Sequence, residues 1–334
     1  MAWPDHLLYL PEAELRRYLP PSEAVKAAGE AYRALVEGRV ESPLRQALSP
    51  RDDLGTWLIM PARGDRHAAV KLVTLSEGNA RRGLPTIVSV VLLLDAVTGV
   101  PLAAMDGTAL TRIRTGAAAG IATQVLSRPD ASVMALIGTG GQAWDQFLSV
   151  AAVRDLKEVR VYSRTPSHVE AFVKTAQALR PGIRWTAAKS AEEAVHGAHI
   201  ITCVTTSATP VFPPEAVSPG AHINGVGSYR RDMVELPPEL LRERVFVETE
   251  EIALEESGEI AQALARGHLT KEGLIPLGKV LLGRAEGRRS PDEITVFKTA
   301  GTAALDLYAA RRAWEGRMRG ETPWDGGDSG FGGA

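Results

Sequence analysis

A glycine-rich turn between an apolar segment and a helical segment constrains the fold of this chain more than any other feature. The apolar run 131–137 leads directly into Gly138-Thr139-Gly140-Gly141-Gln142-Ala143, and a helical pattern continues to Val153. After a strand and before a helix, this GxGxxA spacing permits a tight turn, close approach of a ligand to the backbone and close helix packing. The helix N-terminus also attracts negative charge. The turn predicts a pyrophosphate site for a dinucleotide; the alternative is an ordinary glycine-rich connection.

The segments after this turn alternate between apolar strands and amphipathic helices. Such alternation is typical of a parallel sheet covered by helices on both faces. We therefore predict an α/β fold with a doubly wound parallel sheet. The predicted strands are 131–137, 159–162, 200–204, 221–226, 245–247 and 294–297, and the predicted helices are 142–153, 167–179 and 301–314.

The N-terminal third has a mixed pattern that predicts an α+β domain. Its strands are expected at 56–60, 68–75, 87–95 and 100–105, and its helices at 110–126 and from an N-cap at Ser22 to Glu37. The last helix follows a complete nucleotide-type domain and has a long apolar face. We expect it to return to the first domain. The predicted domains are 1–117 with 303–334, and 118–302.

The residues after the second strand of the parallel sheet indicate the type of cofactor. An NAD site normally places Asp or Glu there to bind the ribose 2′-hydroxyl. This chain has Ser163-Arg164-Thr165 instead. A guanidinium and two hydroxyls suit a 2′-phosphate, so NADP(H) is favoured and NAD(H) is the alternative. Arg164 could equally be a solvated loop arginine.

Three cationic residues in the first domain predict a site for a small anion. Arg45 lies in a loop-like stretch, Lys71 lies inside the apolar strand 68–75, and Arg114 lies near the start of an Ala/Gly-rich helix. Any one of them alone would be read as a paired or solvated surface charge. Lys71 is unusual, because an ammonium inside an apolar strand needs a partner. Together the three suit a carboxylate, which arginine binds with two hydrogen bonds.

Composition excludes several classes of function. The chain has 38 Lys+Arg and 40 Asp+Glu, so it has no excess of positive charge for nucleic acid or an anionic membrane. The single cysteine, Cys203, excludes an internal disulfide. A signal-peptide pattern and a spanning segment of about 18 apolar residues are both missing. We expect a cytoplasmic protein with a mobile tail at 320–334.

The histidines and acidic runs give no further site. His196 and His199 have no third ligand nearby, so no metal site is predicted. The run Glu248-Thr249-Glu250-Glu251 is typical of a solvated helix start.

Several motifs together resemble the ornithine cyclodeaminase/mu-crystallin family, over roughly 45–310. The motifs are Gly99-Val100-Pro101, Leu110-Thr111-Arg112-Ile113-Arg114-Thr115-Gly116-Ala117-Ala118, the glycine turn, 202–207 with Pro210, 224–227 with Glu235-Leu236, and Phe297-Lys298-Thr299-Ala300-Gly301. The resemblance implies a Rossmann domain and a discontinuous substrate domain that forms a homodimer and is completed by the C-terminal helix.

The resemblance also implies roles for individual residues. Arg45, Lys71 and Arg114 would bind a substrate carboxylate, and Thr299 would lie near the nicotinamide. The residues assigned to the cofactor are Thr86, Arg114, Gly138, Thr139, Gly140, Gly141, Gln142, Ala143, Ser163, Arg164, Thr165, Val204, Thr205, Thr206, Val226, Gly227 and Thr299.

Two departures from the family pattern select among its activities. The resemblance implies that ornithine cyclodeaminases have carboxylates at the positions of Leu58 and Tyr229, and that these carboxylates bind the substrate amine. The sequence therefore predicts an NAD(P)H-dependent reductase of cyclic imino acids such as pyrroline-2-carboxylate or piperideine-2-carboxylate. The substrate could arrive already protonated as an iminium ion; otherwise Lys71, or water held by Asp232, would donate the proton. The alternatives are an alanine-dehydrogenase-type enzyme, an ornithine cyclodeaminase and a non-catalytic NADPH-binding crystallin-like protein.

Overall fold

The chain divides into two compact units in a computed structural model that describes residues 7–48 and 55–320. Unit 1 runs as far as Arg114 and resumes at Thr302, and unit 2 spans Thr115–Gly301. The sequence placed the two crossings at 117–118 and 302–303. Of the predicted tail, all but Gly320 lies outside the described residues.

Unit 1 is built on a mixed sheet in the order β1-β7-β6-β5-β4-β2, with β3 paired to β4. β1 and β7 are parallel, and the other neighbours are antiparallel. The strands are β1 (Leu8–Leu10), β2 (Val40–Glu41), β3 (Gln46–Leu48), β4 (Thr56–Gly64), β5 (His67–Leu75), β6 (Ile87–Asp95) and β7 (Pro101–Asp106), and the helices are α1 (Glu12–Tyr18), α2 (Pro21–Val36) and α3 (Gly107–Leu126), which continues into unit 2.

Local polar contacts explain where several of these elements begin and end. The β6–β7 turn forms because the Asp95 carboxylate accepts from the amides of Val97 and Thr98. α3 begins three residues earlier than predicted, since the Asp106 carboxylate accepts from the amide of Ala109 and caps the helix. The predicted cap at Ser22 is wrong, because α2 begins at Pro21 with Pro20 in the N-cap position.

Unit 2 contains a parallel sheet of eight strands in the order β10-β9-β8-β11-β12-β15-β13-β14. The strands are β8 (Val133–Ile137), β9 (Glu158–Tyr162), β10 (Arg184–Ala187), β11 (Ile200–Cys203), β12 (His222–Gly225), β13 (Val245–Val247), β14 (Leu274–Pro276) and β15 (Thr295–Lys298), and the helices are α4 (Ala143–Ala151), α5 (Pro166–Leu179), α6 (Ala191–Val195), α7 (Glu250–Glu256), α8 (Gly258–Ala265) and α9 (Leu277–Leu281). Short 3₁₀ turns occur at Glu77–Arg82, Pro214–Ala216, Pro238–Leu240 and Lys271–Gly273.

Both faces of the parallel sheet are buried. Met134 and Leu136 of β8 pack into one apolar cluster with Trp144, while Ala135 and Ile137 of the same strand pack into another. A strand that buries both faces is apolar along its whole length, as the sequence of β8 is. The predicted α/β fold with a doubly wound parallel sheet is confirmed.

The last helix, α10 (Ala303–Arg319), belongs to unit 1. The hydroxyls of Thr302 and Ser42 both accept from the amide of Ala304, which caps the helix against the chain segment before β3. On the buried side of α10, alanines and leucines surround one acidic residue, Asp306.

Candidate active site

A buried cluster of charged side chains in unit 1 brings Lys71 and Arg114 together. The Lys71 ammonium lies 2.8 Å from one carboxylate oxygen of Asp306, and Arg114 Nε donates to the other oxygen at 2.9 Å. Lys71 and Asp306 are each 1% exposed, and Arg114 is 5% exposed. Three ionised side chains in such a place are costly to bury unless they serve one another or a ligand.

The electrostatics of the cluster bear mainly on Lys71. Burial, together with the nearby charge of Arg114, lowers the pKa of Lys71 to about 7, although Asp306 opposes the shift. Burial disfavours the charged form of Asp306, but Arg114 and Lys71 outweigh it and hold the pKa of that carboxyl below its ordinary value. Near neutral pH the cluster thus contains an ionised carboxylate and a lysine that readily gives up its proton.

Arg45 belongs to the same electrostatic environment. It lies half-buried just before β3, and its charge contributes to the lowered pKa of Lys71. The structure therefore brings the three predicted cations into mutual influence. Lys71 and Arg114 share the carboxylate of Asp306, so an anionic ligand would balance the second positive charge when Lys71 is protonated. We refer to Arg45, Lys71, Arg114 and Asp306 as the cation cluster.

Asp306 is the member of the cluster that sequence reasoning missed. Its partners are far away in the chain, and it occupies one position in an alanine-rich helix. A signal was nevertheless present, since Asp306 falls on the apolar face of α10. A lone carboxylate on such a face needs a buried cation as its partner.

The glycine turn of unit 2 has the geometry expected of a phosphate cradle. Gly138 has a φ of +108°, and a Cβ there would lie 2.9 Å from the carbonyl oxygen of Val204. Only glycine fits such a turn without strain. A Cβ at Gly140 or Gly141 would meet open space, which leaves the backbone accessible to a ligand. α4 begins directly after this turn, so its N-terminus would face a bound pyrophosphate.

Ser163, Arg164 and Thr165 follow β9, the strand beside β8. The Ser163 hydroxyl accepts from the amide of Thr165, and the Arg164 side chain is exposed. Arg164 has no ion-pair partner within residues 7–48 and 55–320. The loop after β9 therefore presents a guanidinium and hydroxyls, and its role toward a 2′-phosphate stays a prediction.

The other predicted cofactor residues lie at the carboxyl ends of three neighbouring strands. Val204, Thr205 and Thr206 follow β11, Val226 and Gly227 follow β12, and Thr299 follows β15. Ligands of open parallel sheets bind at this edge. The buried Thr299 hydroxyl has no hydrogen-bond partner in the part of the chain that the structure describes. An orphaned hydroxyl at the same carboxyl edge of the sheet as the glycine turn fits a polar group of a bound dinucleotide.

Two predicted site residues lie in exposed positions. Asp232 is 69% exposed and forms a bidentate ion pair with Arg230. Thr86 is exposed just before β6, and its carbonyl accepts from the amide of Ser76. Their roles stay predictions, and the structure offers no contact that supports either.

The described residues include neither a metal-binding cluster nor a helix that could span a membrane. Within residues 7–48 and 55–320, no group of three His, Cys, Asp or Glu side chains could hold a metal ion. None of the described helices is both long and apolar enough to cross a membrane.

Comparison with known families accounts for both units at once. The sequence model of the ornithine cyclodeaminase/mu-crystallin family matches residues 12–321. The chain belongs to this family.

Reductases and dehydrogenases are among the relatives of this ornithine cyclodeaminase/mu-crystallin family member. A Delta(1)-pyrroline-2-carboxylate reductase from Bacillus cereus is 36% identical over 92% of this chain and 96% of the relative. The structure of the Thermococcus litoralis Delta(1)-pyrroline-2-carboxylate reductase in complex with NADH and L-proline superposes with a TM-score of 0.87, at 32% identity over 96% of this chain and all of that chain. An archaeal alanine dehydrogenase dimer with bound NAD gives a TM-score of 0.86, at 32% identity over 95% of this chain and 98% of that chain.

Leu58 and Tyr229 are the two positions at which the sequence analysis expects a departure from ornithine cyclodeaminases. Leu58 lies on β4 and is half-buried, so it presents an apolar side chain. Tyr229 follows β12, and its ring lies 5.8 Å from the guanidinium carbon of Arg230. Neither residue offers a carboxylate for a substrate amine.

Proposed function

We propose that the protein is an NAD(P)H-dependent reductase of cyclic imino acids, with unit 1 binding the substrate and unit 2 the dinucleotide. The observation that carries the proposal is the buried pair of cations, Lys71 and Arg114, which share the carboxylate of Asp306. The pyrroline-2-carboxylate reductases among the relatives support the choice of substrate. A substrate with one carboxylate and no second amine suits a site that has Leu58 rather than an acid.

The cation cluster would bind the substrate carboxylate and supply the proton. Arg45 and Arg114 bind the carboxylate, and Asp306 holds Arg114 and Lys71 in place. Positioning two reactants relative to one another can contribute about 7 kcal/mol to lowering the barrier of such a reaction. When bound, the reduced nicotinamide supplies the hydride that the imine carbon accepts. Lys71 donates a proton to the imine nitrogen, because a pKa near 7 allows both protonation states.

A substrate panel tests the proposal. Oxidation of NADPH and NADH is measured with pyrroline-2-carboxylate, with piperideine-2-carboxylate and with pyruvate plus ammonia, and ornithine deamination is assayed in parallel. We expect the two cyclic imino acids to be the best substrates. Rapid ornithine turnover, or no turnover of either imino acid, would refute the proposal.

Amino-acid dehydrogenation is the second candidate, favoured by the likeness to the archaeal alanine dehydrogenase. The imine formed from pyruvate and ammonia carries the same carboxylate next to the same kind of carbon, so the cation cluster would serve it equally. The pyruvate-plus-ammonia arm of the panel separates the two activities. Loss of all turnover with retained NADPH binding would instead indicate a non-catalytic binding protein.

We further propose a preference for NADP(H), which rests on Arg164 and the lack of a carboxylate at 163–165. Arg164→Ala is expected to raise the KM for NADPH about tenfold, because one charge-assisted contact to the 2′-phosphate is lost in an exposed loop. The KM for NADH serves as the internal control and should stay within twofold. Equal changes for both nucleotides would contradict the assignment.

The homodimer is also a proposal, and one face of the unit 1 sheet supports it. Leu48, Trp57, Thr74 and Val88 lie opposite one another across β3, β4, β5 and β6, so they share a face. The three apolar members are 46–56% exposed. Lys71 points to the opposite face, because side chains alternate along β5. Exposed apolar rows of this kind mark contact surfaces.

Trp57→Glu is expected to shift the protein from dimer to monomer in sedimentation equilibrium, since a carboxylate would be buried in the apolar contact. Val97→Glu is the matched control, because Val97 is 81% exposed in the β6–β7 turn of the same unit. A dimer unaffected by Trp57→Glu would place the contact elsewhere.

A further inference from the structure

Three buried ionic side chains tie together the loops at the carboxyl ends of four adjacent strands in unit 2. They are Glu235, Lys298 and Glu248, which are 0%, 2% and 2% exposed. The strands are β11, β12, β15 and β13, which are consecutive in the sheet. We call these three residues the loop brace.

Glu235 joins the loop after β11 to the loop after β12. One carboxylate oxygen accepts from the amide of Thr205 at 2.8 Å and from its hydroxyl at 3.0 Å. The other oxygen accepts from the amide of Gly227 at 2.6 Å and more weakly from that of Ser228 at 3.4 Å. The two loops approach so closely that a Cβ at Gly227 would lie 2.1 Å from the carbonyl oxygen of Thr205. Both oxygens of Glu235 are thus occupied by loop donors.

The other two members extend the same arrangement across the sheet. Lys298 donates to the carbonyls of Gly225, Ser228 and Thr299, which joins the loop after β12 to the one after β15. Glu248 follows β13 and accepts from the amides of Ala300 and Gly301. The expectation that Glu248 is a solvated helix-start charge is therefore wrong, since it is buried against two loop amides.

Glu259 fixes the brace from behind. Its carboxylate accepts from the Ser228 hydroxyl at 2.5 Å and from the Glu235 amide at 2.9 Å. Ser228 is fully buried, so this contact is shielded from water.

The braced loops are those that would contact the nicotinamide half of a dinucleotide. If the glycine turn after β8 binds the pyrophosphate and the loop after β9 binds the adenosine ribose, the other half must extend over β11, β12 and β15. On the adenosine side, the Ser163 hydroxyl accepts from the amide of Thr165 in the same loop, and Arg164 is exposed. Buried charges are thus concentrated under the half of the cofactor that reacts.

We propose that Glu235 is a positioning residue that sets the location of the nicotinamide ring by holding the Thr205 and Gly227 loops at a fixed separation. The inference rests on the proposed dinucleotide-dependent function. Adenosine binding needs only affinity, whereas hydride transfer needs the ring to be held to a fraction of an ångström, and a displacement of about 1 Å can cost 100-fold in rate.

Glu235→Gln tests the inference with little change of shape. Glutamine would replace one accepting oxygen by an NH2 group, which is a donor and cannot accept from the loop amide. One of the two loops would therefore lose its hydrogen bond and move. Glu158→Gln is the matched control. Glu158 is a largely buried carboxylate at the start of β9. The same substitution there falls at the amino ends of the strands, away from the loops that Glu235 holds.

Binding is measured first, without substrate. The emission of NADPH and of NADH, which changes when the reduced ring enters a protein site, is titrated against each protein, and ADP-ribose affinity is measured by calorimetry. For Glu235→Gln we expect ADP-ribose affinity within twofold of the unmutated protein but loss of at least half of the emission change. Glu158→Gln should match the unmutated protein in both. An unmutated protein that binds neither nucleotide overturns the inference at once.

Single-turnover kinetics follow with the best substrate of the panel. We expect Glu235→Gln to slow hydride transfer about 100-fold and to bring the isotope effect of 4-deuterated NADPH to its full value. A merely structural role would lower the active fraction and leave the isotope effect unchanged. Unchanged emission and hydride rate, or a matching loss of ADP-ribose affinity, would overturn the inference.

Ser228→Ala keeps the inference testable if Glu235→Gln fails to fold. It removes only the hydroxyl contact to Glu259. We expect it to reduce the emission change and the hydride-transfer rate in the same direction as Glu235→Gln, with effects about one-tenth as large. Unchanged emission and hydride rate in this variant would likewise overturn it. Because the emission and affinity arms need no substrate, failure of every imino acid in the panel counts against the proposed function alone.

Discussion

Lys71→Met should lower imine reduction by about 1,000-fold, since it removes both a substrate-binding cation and the proposed proton donor. The protein should still fold, because Asp306 retains Arg114 as its partner and no buried charge is left alone. Methionine also fills the space of the lysine stem. The rate is measured with saturating NADPH over a range of imino-acid concentrations.

Lys157→Met is the matched control for this variant. Lys157 is exposed and pairs with Asp155 at the surface of unit 2, so the same substitution there should leave turnover unchanged. Lys71→Met that retained more than a tenth of the activity would show that Lys71 is not the donor.

Asp306→Asn is expected to destabilise the protein by about 3–5 kcal/mol at neutral pH or below, because Lys71 and Arg114 would both lose the carboxylate that they contact in the buried cluster. Urea unfolding, compared with that of the unmutated protein, measures the loss. Asp155→Asn, which breaks an exposed ion pair, is the control and should change the unfolding free energy by less than about 1 kcal/mol.

The pH dependence of this destabilisation has a definite sign. In the native protein Lys71 has a pKa of about 7, and the unfolded value is about 10.4. Without Asp306, which raises it, the folded pKa of Lys71 must fall further. The unfolded chain then binds one more proton than the variant fold below pH 7, so the variant gains stability as pH rises toward 7 at up to about 1.4 kcal/mol per pH unit.

The difference in unfolding free energy between the unmutated protein and Asp306→Asn should therefore narrow between pH 5 and pH 7 and stay constant above pH 7. The upper limb of the kcat/KM profile, expected near pH 7 in the native enzyme, should move to lower pH in Asp306→Asn. If the difference in unfolding free energy widened with pH, or if the upper limb of the kcat/KM profile did not move, Asp306 would not be the group that raises the pKa of Lys71.

The sequence predicted the elements whose signals are local. The glycine turn, the apolar strand before it and the alternation after it depend on neighbouring residues, and all are present. β10 and β14 were missed, because each is three or four residues long and is decided by pairing with β9 and β13 rather than by its own composition.

The charged parts of the candidate site were predictable only in part. Lys71 stood out because its strand is apolar, and a cation there needs a partner. Asp306, Glu235 and Lys298 did not stand out, because their partners are distant in sequence or are backbone groups of other loops. Such contacts leave no spacing pattern in the chain.

The position of Asp306 in the last helix has a consequence for biosynthesis. Arg114 and Asp306 are 192 residues apart, and all of unit 2 is translated between them. During translation Lys71 and Arg114 cannot pair with the Asp306 carboxylate until α10 has left the ribosome. A product truncated before Thr302 would contain every residue of the parallel sheet but could not assemble the cation cluster. The anion site can therefore form only after α10 has been synthesised.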